Sequence, residues 1–186
     1  MKLVHVVGAR PNFPKLAPVH RAGTGAGMQQ VIVHTGQLYD DVMSNGFFAS
    51  LGMADPDYNL SLGCASHAVQ TARVMERIEP VLLAEQPDWL VVYGDVNSTV
   101  AAALVASKLG VRIAHVEAGL RSDDRSMPEE INRIVTDRLV SDPAALPSLV
   151  RSSRRDATHR VPDGWDGKAG ERIVVALRDS LAQSRR

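Results

Sequence analysis

Charged side chains follow three of the apolar strands that this sequence predicts. Arg10 and Lys15 come after the first strand. Asp95 follows the third strand, Glu117 follows the fourth, and Glu129 stands in the first turn of a later predicted helix. Ligands of open α/β sheets bind at the carboxyl ends of the strands, so these five side chains are candidates for one site.

The two cations predict an anion site. Arg10 and Lys15 flank a predicted helix N-terminus, whose unpaired N–H groups and dipole add to their charge. An ordinary surface-charge role fits them equally well. No G-x-G-x-x-G run follows the first strand, so the segment that begins at Gly8 is not a dinucleotide fingerprint. The segment after the second strand, residues 34–37, is better explained as a tight turn with polar caps.

The carboxylates suit general acid and base catalysis. If their strands are neighbours, Asp95 and Glu117 point into one crevice with carboxylates roughly 5–10 Å apart. Charging both would be costly, which favours a proton on one of them. Glu129 can supply a third carboxylate or simply complement the helix dipole. Asp95 could instead cap the next helix, but we expect Asn97 or Ser98 to supply that cap.

Apolar runs alternate with helical patterns along the chain. Strands are predicted at 3–7, 31–33, 89–93 and 111–116, with a short extended segment at 58–60. Helices are predicted from 14, at 39–51, 66–84 and 99–109, from Pro128, and at about 167–182. This alternation implies right-handed crossovers and a parallel sheet covered on both faces. We therefore expect an α/β fold with a Rossmann-like, doubly wound parallel sheet.

Composition limits the classes of partner. Lys plus Arg equals Asp plus Glu at 21 each, which removes the electrostatic case for binding nucleic acid or an anionic membrane. No run approaches the ~20 apolar residues of a membrane span, and the N-terminal run is interpreted as a buried strand. Cys64 is the only cysteine, which excludes an intrachain disulfide and a four-cysteine zinc site. We expect a cytoplasmic protein without a metal.

The character of the sequence changes after residue 142. Residues 143–164 contain three prolines and a cluster of arginines, and we interpret them as an irregular, solvated linker. Helical periodicity returns in residues 165–186, where we expect a helix over Lys168 to Ala182 that packs on the first part of the chain. An exposed tail that recruits a partner is the alternative. The apolar stripe consists of Ile173, Val174, Ala176, Leu177 and Leu181.

Five segments stand in the order and spacing of one known family: GARP (8–11) with Lys15, HTGQ (34–37) with Tyr39 and Asp40, GDVNST (94–99), HVEAGLRS (115–122) and MPEEINR (127–133). Together they resemble the non-hydrolysing UDP-N-acetylglucosamine 2-epimerase family, over roughly residues 1–142. The resemblance implies one lobe of a two-lobed glycosyltransferase-B type fold. It implies inversion at C2 of UDP-GlcNAc to UDP-ManNAc, through elimination and re-addition of UDP, in the cleft between the lobes.

The resemblance also assigns roles to the candidate residues. Asp95, Glu117 and Glu129 would do the acid and base work, and Arg10 and Lys15 would face the diphosphate. No redox cofactor is required. The partners implied are a UDP-sugar substrate and a second copy of the chain in a homodimer, with no nucleic acid and no membrane.

One departure from the family is large. Most of the second lobe is not recognisable, although residues 165–173 resemble the family's C-terminus. We therefore expect an internal deletion, with residues 1–142 as the epimerase lobe, 143–164 as the linker and 165–186 as the final helix. Stand-alone activity should be impaired or absent. A non-catalytic sugar-nucleotide-binding or regulatory module is the alternative, and a glycosyltransferase fragment ranks lower because the carboxylates follow the epimerase order.

Overall fold

The structure is a computed structural model that describes residues 1–36, 48, 51–140 and 166–183. The strands are β1 (Lys2–Val7), β2 (Gln29–His34), β3 (Tyr58–Asn59), β4 (Trp89–Tyr93) and β5 (Arg112–Val116). The helices are α1 (Phe13–Gly25), after a 3₁₀ turn at Arg10–Asn12, α2 (His67–Glu85), α3 (Asn97–Lys108), α4 (Pro128–Leu139) and α5 (Ala169–Gln183). The helix predicted at 39–51 lies almost entirely outside the described residues.

All strand pairs are parallel, and the sheet order is β3-β2-β1-β4-β5. The chain begins at the centre, builds β2 and β3 on one side, and then crosses to β4 and β5 on the other. This order confirms the predicted Rossmann-like, doubly wound fold. The order reverses between β1 and β4, so the crevice at their carboxyl ends is the expected ligand position.

Alternate residues of β4 contribute to two different cores. Leu90 and Val92 lie in a cluster with Ile78 of α2, on one face of the sheet. Val91 and Tyr93 lie on the opposite face, in a cluster with Leu16 of α1. Successive side chains of a strand point to opposite faces, so a strand covered by helices on both sides must be apolar throughout. This explains why the β4 sequence shows no polar alternation.

The N-termini of α2 and α3 are built differently. Ser66 caps α2 with its side chain, so the helix begins at His67, one residue after its predicted start. The predicted cap of α3 by Asn97 or Ser98 is wrong, because Val96 occupies the N-cap position and both polar residues are buried inside the first turn. Ser98 instead bonds Thr35 across the sheet at 2.8 Å between the hydroxyl oxygens. Asn97 and Ser98, which the local pattern predicts as caps, therefore make tertiary hydrogen bonds instead.

Helix α5 lies against α1. Ile173 and Leu177 are buried in the same cluster as Leu16. A Cβ added to Gly170 would come within 2.2 Å of the carbonyl oxygen of Pro18, so only glycine permits this approach. Residues 141–165 lie outside the described residues, and the division of the chain into lobe, linker and final helix stays a prediction.

Candidate active site

Asn12 fixes the loop between β1 and α1. Its Oδ1 accepts hydrogen bonds from the backbone N–H groups of Gly8, at 3.1 Å, and Ala9, at 3.0 Å. Its Nδ2 donates to the carbonyl oxygen of Tyr93 at 2.9 Å. Asn12 is buried, so the amide joins the ends of β1 and β4 with most of its bonding capacity used internally. Arg10 lies on the exposed side of the same turn.

Lys15 and Glu117 form an ion pair over the end of β4. The Lys15 Nζ contacts Glu117 Oε2, and each side chain keeps about a third of its surface exposed, 30% and 37%. Gly94 lies directly beneath the pair. A Cβ added to Gly94 would lie 3.4 Å from both Lys15 Nζ and Glu117 Oε2, so the pair sits in van der Waals contact above this position. The fold therefore brings a cation and a carboxylate together at the predicted ligand edge.

The backbone of Glu117 is in the left-handed region, with φ at 75°. Such a conformation costs roughly 1–3 kcal/mol for a residue with a side chain and persists only where its surroundings impose it. The strand pairing stops just before this point, with Tyr93 opposite Val116. Gly119, two residues further along, also has a positive φ of 82°. This tight turn directs Glu117 towards Lys15.

A polar cluster around the buried His115 supports the turn from below. His115 Nε2 donates to the carbonyl oxygen of Gly94 at 2.6 Å, and its Nδ1 contacts Asp137 Oδ1 at 2.7 Å. Asp137 Oδ2 accepts from the Gly119 N–H at 3.0 Å and pairs with Arg121 at 2.7 Å. Burial alone would raise the pKa of Asp137, but hydrogen bonds from His115 and Arg121 hold that pKa below its usual value. The cluster joins β4, β5 and α4 behind Glu117.

Asp95 has a cation partner of its own. Arg133 Nε lies 2.9 Å and Arg133 Nη2 lies 2.8 Å from Asp95 Oδ2. Asn132 donates to the backbone carbonyl of Asp95 at 2.8 Å and to the Asn97 amide oxygen at 3.2 Å. Two consecutive residues of α4 therefore hold the side chain and the backbone of Asp95.

Glu130 is the buried carboxylate of α4. Only 1% of its side chain is exposed. It accepts from the backbone N–H groups of Ser122, at 3.0 Å, and Asp123, at 3.4 Å, and from Arg133 Nη1 at 2.6 Å. The hydrogen bond from the Ser122 N–H, assisted by Arg133, lowers the pKa of Glu130 although burial opposes this. Glu130 thus fixes the loop before α4, and the neighbouring Glu129, which is more exposed, is the carboxylate of this turn that a ligand could contact.

The structure brings some of the predicted residues into contact and leaves others apart. Lys15 and Glu117 touch, and Asp95 follows directly after the Gly94 on which they rest. Glu129 is partly exposed in the first turn of α4 and has no hydrogen-bond or ion-pair partner within the described ranges. It is not joined to either of the other two carboxylates by a direct contact.

Sequence reasoning left several supporting residues without a role, and four of them are informative. Asn12, Asn132, Arg133 and Asp137 fix the candidate carboxylates or the loops that carry them. Three of the four lie on α4, in or just after the segment that contains Glu129. These three polar residues follow Glu129 at helical spacing. That spacing is the only local signal that they face the site.

The described parts of the chain contain no helix that is long and apolar enough for a membrane crossing. The same residues contain no group of three or more His, Cys, Asp or Glu side chains arranged to hold a metal ion.

Comparison with known proteins identifies the family. Residues 21–143 match the family model described as UDP-N-acetylglucosamine 2-epimerase. A UDP-N-acetylglucosamine 2-epimerase homolog of Methanococcus maripaludis is 54% identical over 139 residues, which are 75% of this chain and 39% of the relative. The UDP-2,3-diacetamido-2,3-dideoxy-D-glucuronate 2-epimerase of Pseudomonas aeruginosa is 50% identical over 81% of this chain and 42% of its own length.

A solved structure agrees. The crystal structure of Methanocaldococcus jannaschii UDP-GlcNAc 2-epimerase, in complex with UDP-GlcNAc and UDP, superimposes with a TM-score of 0.73 and 50% identity. The match covers 76% of this chain and 39% of that one, which is one lobe of the glycosyltransferase-B type fold. The chain thus spans well under half the length of the relatives it matches. Its sequence and its fold place this chain in the UDP-N-acetylglucosamine 2-epimerase family.

Proposed function

We propose that this chain carries the acid and base groups of a UDP-N-acetylglucosamine 2-epimerase and binds a UDP-sugar. The observation that carries the proposal is the Lys15–Glu117 pair over Gly94, with Asp95 as the next residue, at the carboxyl edge of the sheet. Epimerisation at C2 requires removal of the C2 proton and its return on the opposite face. Carboxylates at the mouth of a parallel sheet are suited to this exchange.

The proposed reaction has two halves. Loss of the C2 proton and cleavage of the anomeric C–O bond release UDP and leave a glucal, and re-addition of UDP with a proton on the other face gives UDP-ManNAc. Asp95, Glu117 and Glu129 are the proposed acid and base groups. Arg10 and Lys15 are proposed to face the diphosphate, where cations stabilise the charge of the departing UDP.

Isotope exchange tests the proposal. The purified chain, incubated with UDP-GlcNAc in deuterated water, should place deuterium at C2 of the recovered sugar, more slowly than a full-length relative does, and mass spectrometry and NMR detect this deuterium. Glu117→Gln should abolish the exchange, while Glu171→Gln, an exposed carboxylate on α5, should leave it unchanged. Parallel incubation with UDP-2,3-diacetamido-2,3-dideoxy-D-glucuronate would reveal which sugar is preferred, because one relative carries that name.

A non-catalytic sugar-nucleotide-binding module is the second candidate. It is favoured by the length of the chain, which covers only 39% of the Methanococcus relative. Calorimetry would show UDP-GlcNAc binding by the wild type without deuterium at C2. Absence of both binding and exchange would contradict both candidates.

We also propose a cytoplasmic homodimer that does not bind nucleic acid. Light scattering should give twice the monomer mass, and a monomer mass that does not change with concentration would contradict the dimer. A gel-shift titration with duplex DNA or RNA should show no complex at physiological salt, as zero net charge implies.

A further inference from the structure

We infer that Arg133 is a positioning residue, which holds Asp95 by one oxygen and leaves Oδ1 as the oxygen that exchanges a proton with the substrate. The inference rests on the proposed function for the identity of that substrate. It concerns a residue that does not itself touch the reacting atoms.

The contact between the two side chains selects one oxygen. Arg133 Nε and Nη2 both donate to Asp95 Oδ2, at 2.9 and 2.8 Å. An oxygen with two donors at these distances acts as an acceptor and carries no proton. Asp95 Oδ1 has no hydrogen-bond partner among the residues that the structure describes, and a third of the side chain, 33%, is exposed. A proton that moves to or from Asp95 therefore enters or leaves at Oδ1.

Arg133 is itself held in place. Its side chain is only 15% exposed, and its Nη1 donates to the buried Glu130 at 2.6 Å. The N–H groups of Ser122 and Asp123 fix Glu130 in turn. The planar guanidinium thus bridges two carboxylates on different elements with separate nitrogens, which a lysine ammonium on a flexible stem cannot reproduce.

The backbone of Asp95 is fixed by the neighbouring residue of the same helix. Asn132 donates to the Asp95 carbonyl oxygen at 2.8 Å. Side chain and main chain are therefore held by adjacent positions of α4, and rotation of the carboxylate would break both Arg133 hydrogen bonds. Misplacing a catalytic group by about 1 Å can cost about 10²-fold in rate, which sets the size of the expected effect.

The first test is kinetic. Arg133→Gln should lower the rate of C2 deuterium exchange from UDP-GlcNAc by about 10²-fold with KM changed less than about threefold, because orientation is lost and binding is kept. Arg133→Lys should recover part of the rate, since one charged contact remains. Arg138→Gln is the matched control, because Arg138 is an exposed arginine in the last turn of the same helix. Exchange by Arg133→Gln at the wild-type rate would overturn the inference while the proposed function stood.

The second test needs no activity. In ¹⁵N NMR spectra of the ligand-free chain, the Arg133 Nε–H should exchange slowly with water, and Asp95→Asn should speed that exchange by at least about tenfold. Arg138→Gln should leave it unchanged. If the wild type shows no C2 exchange at all, the proposed function fails for this chain, and this measurement alone decides the inference. An Arg133 Nε–H that is indifferent to Asp95→Asn would overturn it.

Discussion

Gly170→Ala should loosen helix α5 from the rest of the protein. A Cβ at this position would lie 2.2 Å from the carbonyl oxygen of Pro18, 2.5 Å from its carbonyl carbon and 3.0 Å from the nitrogen of Val19. All three are backbone atoms of α1 and cannot rotate away. Relief of the contact requires the two helices to separate by about 1 Å, since an ordinary carbon–oxygen contact exceeds about 3 Å.

The expected loss follows from two opposing effects. Forcing an extra methyl group into a packed interface costs ~1–3 kcal/mol. Alanine favours helix over glycine by up to ~1 kcal/mol, and this gain is smaller near a helix start. The net destabilisation is therefore about 1–2 kcal/mol, and Tm should fall by about 2–8 °C for a chain of this size. The apolar residues at risk are Ile173, Val174, Leu177 and Leu181.

Thermal unfolding and amide hydrogen exchange provide the assay. Gly25→Ala is the matched control, because a Cβ there meets no atom within 4 Å. Its Tm should stay equal to the wild-type value or rise slightly. Gly170→Ala should also speed amide exchange throughout α5. A variant with unchanged Tm and unchanged exchange would refute the close contact with Pro18 and would favour a tail that is free to recruit a partner.

Three further predictions concern buried polar groups. Burial lowers the pKa of His5 from 6.5 to about 3. Between these pH values, His5 takes up a proton only in the unfolded chain. His5 should therefore lower the free energy of unfolding by about 1.4 kcal/mol for each pH unit below 6.5. Urea titrations at several pH values should show a shallower fall for His5→Gln than for the wild type. Asn12→Ala removes three buried hydrogen bonds and should cost about 2–4 kcal/mol in urea unfolding at pH 7. Asp137→Asn weakens the hydrogen bonds from His115 and Arg121 and should lower the free energy of unfolding by about 1–3 kcal/mol at pH 7. Because the pKa of Asp137 is lower in the folded chain than in the unfolded chain, its carboxylate stabilises the fold at pH values above the unfolded pKa. The difference in free energy of unfolding between wild type and Asp137→Asn should therefore shrink as pH falls below 4.

Local sequence patterns are sufficient for most elements of this fold. The run at β4 was predicted without error, because it is apolar throughout and lies between Pro87 and Gly94, which end regular structure on each side. The predicted start of α2 at residue 66 lies one residue before the observed start, and the Ser66 side chain caps the helix there. The cap of α3 was not predicted correctly, because Ser98 bonds Thr35, which is 63 residues away along the chain.

The candidate site was predictable only in part. The carboxyl ends of parallel strands share one edge, so the neighbourhood of Glu117 and Gly94 could be expected from strand order alone. The ion pairs could not. Lys15 and Glu117 are separated by 102 positions, and Arg133 reaches Asp95 across 38. Such pairings depend on how the loops after β1 and β5 fold, and no periodic pattern specifies that.

The two counter-cations change the electrostatic argument for a shared proton. Two bare carboxylates in one crevice repel each other, but Glu117 is paired with Lys15, and Asp95 is paired with Arg133, which also pairs with Glu130. The cations differ in how firmly they are held. Arg133 is 15% exposed and bound on two sides, whereas Lys15 is 30% exposed on a flexible stem and, among the described residues, pairs only with Glu117. If a diphosphate binds at the edge of the sheet, as we propose, it can compete for Lys15 but not for Arg133. Ligand binding would then leave Asp95 paired and expose the charge of Glu117.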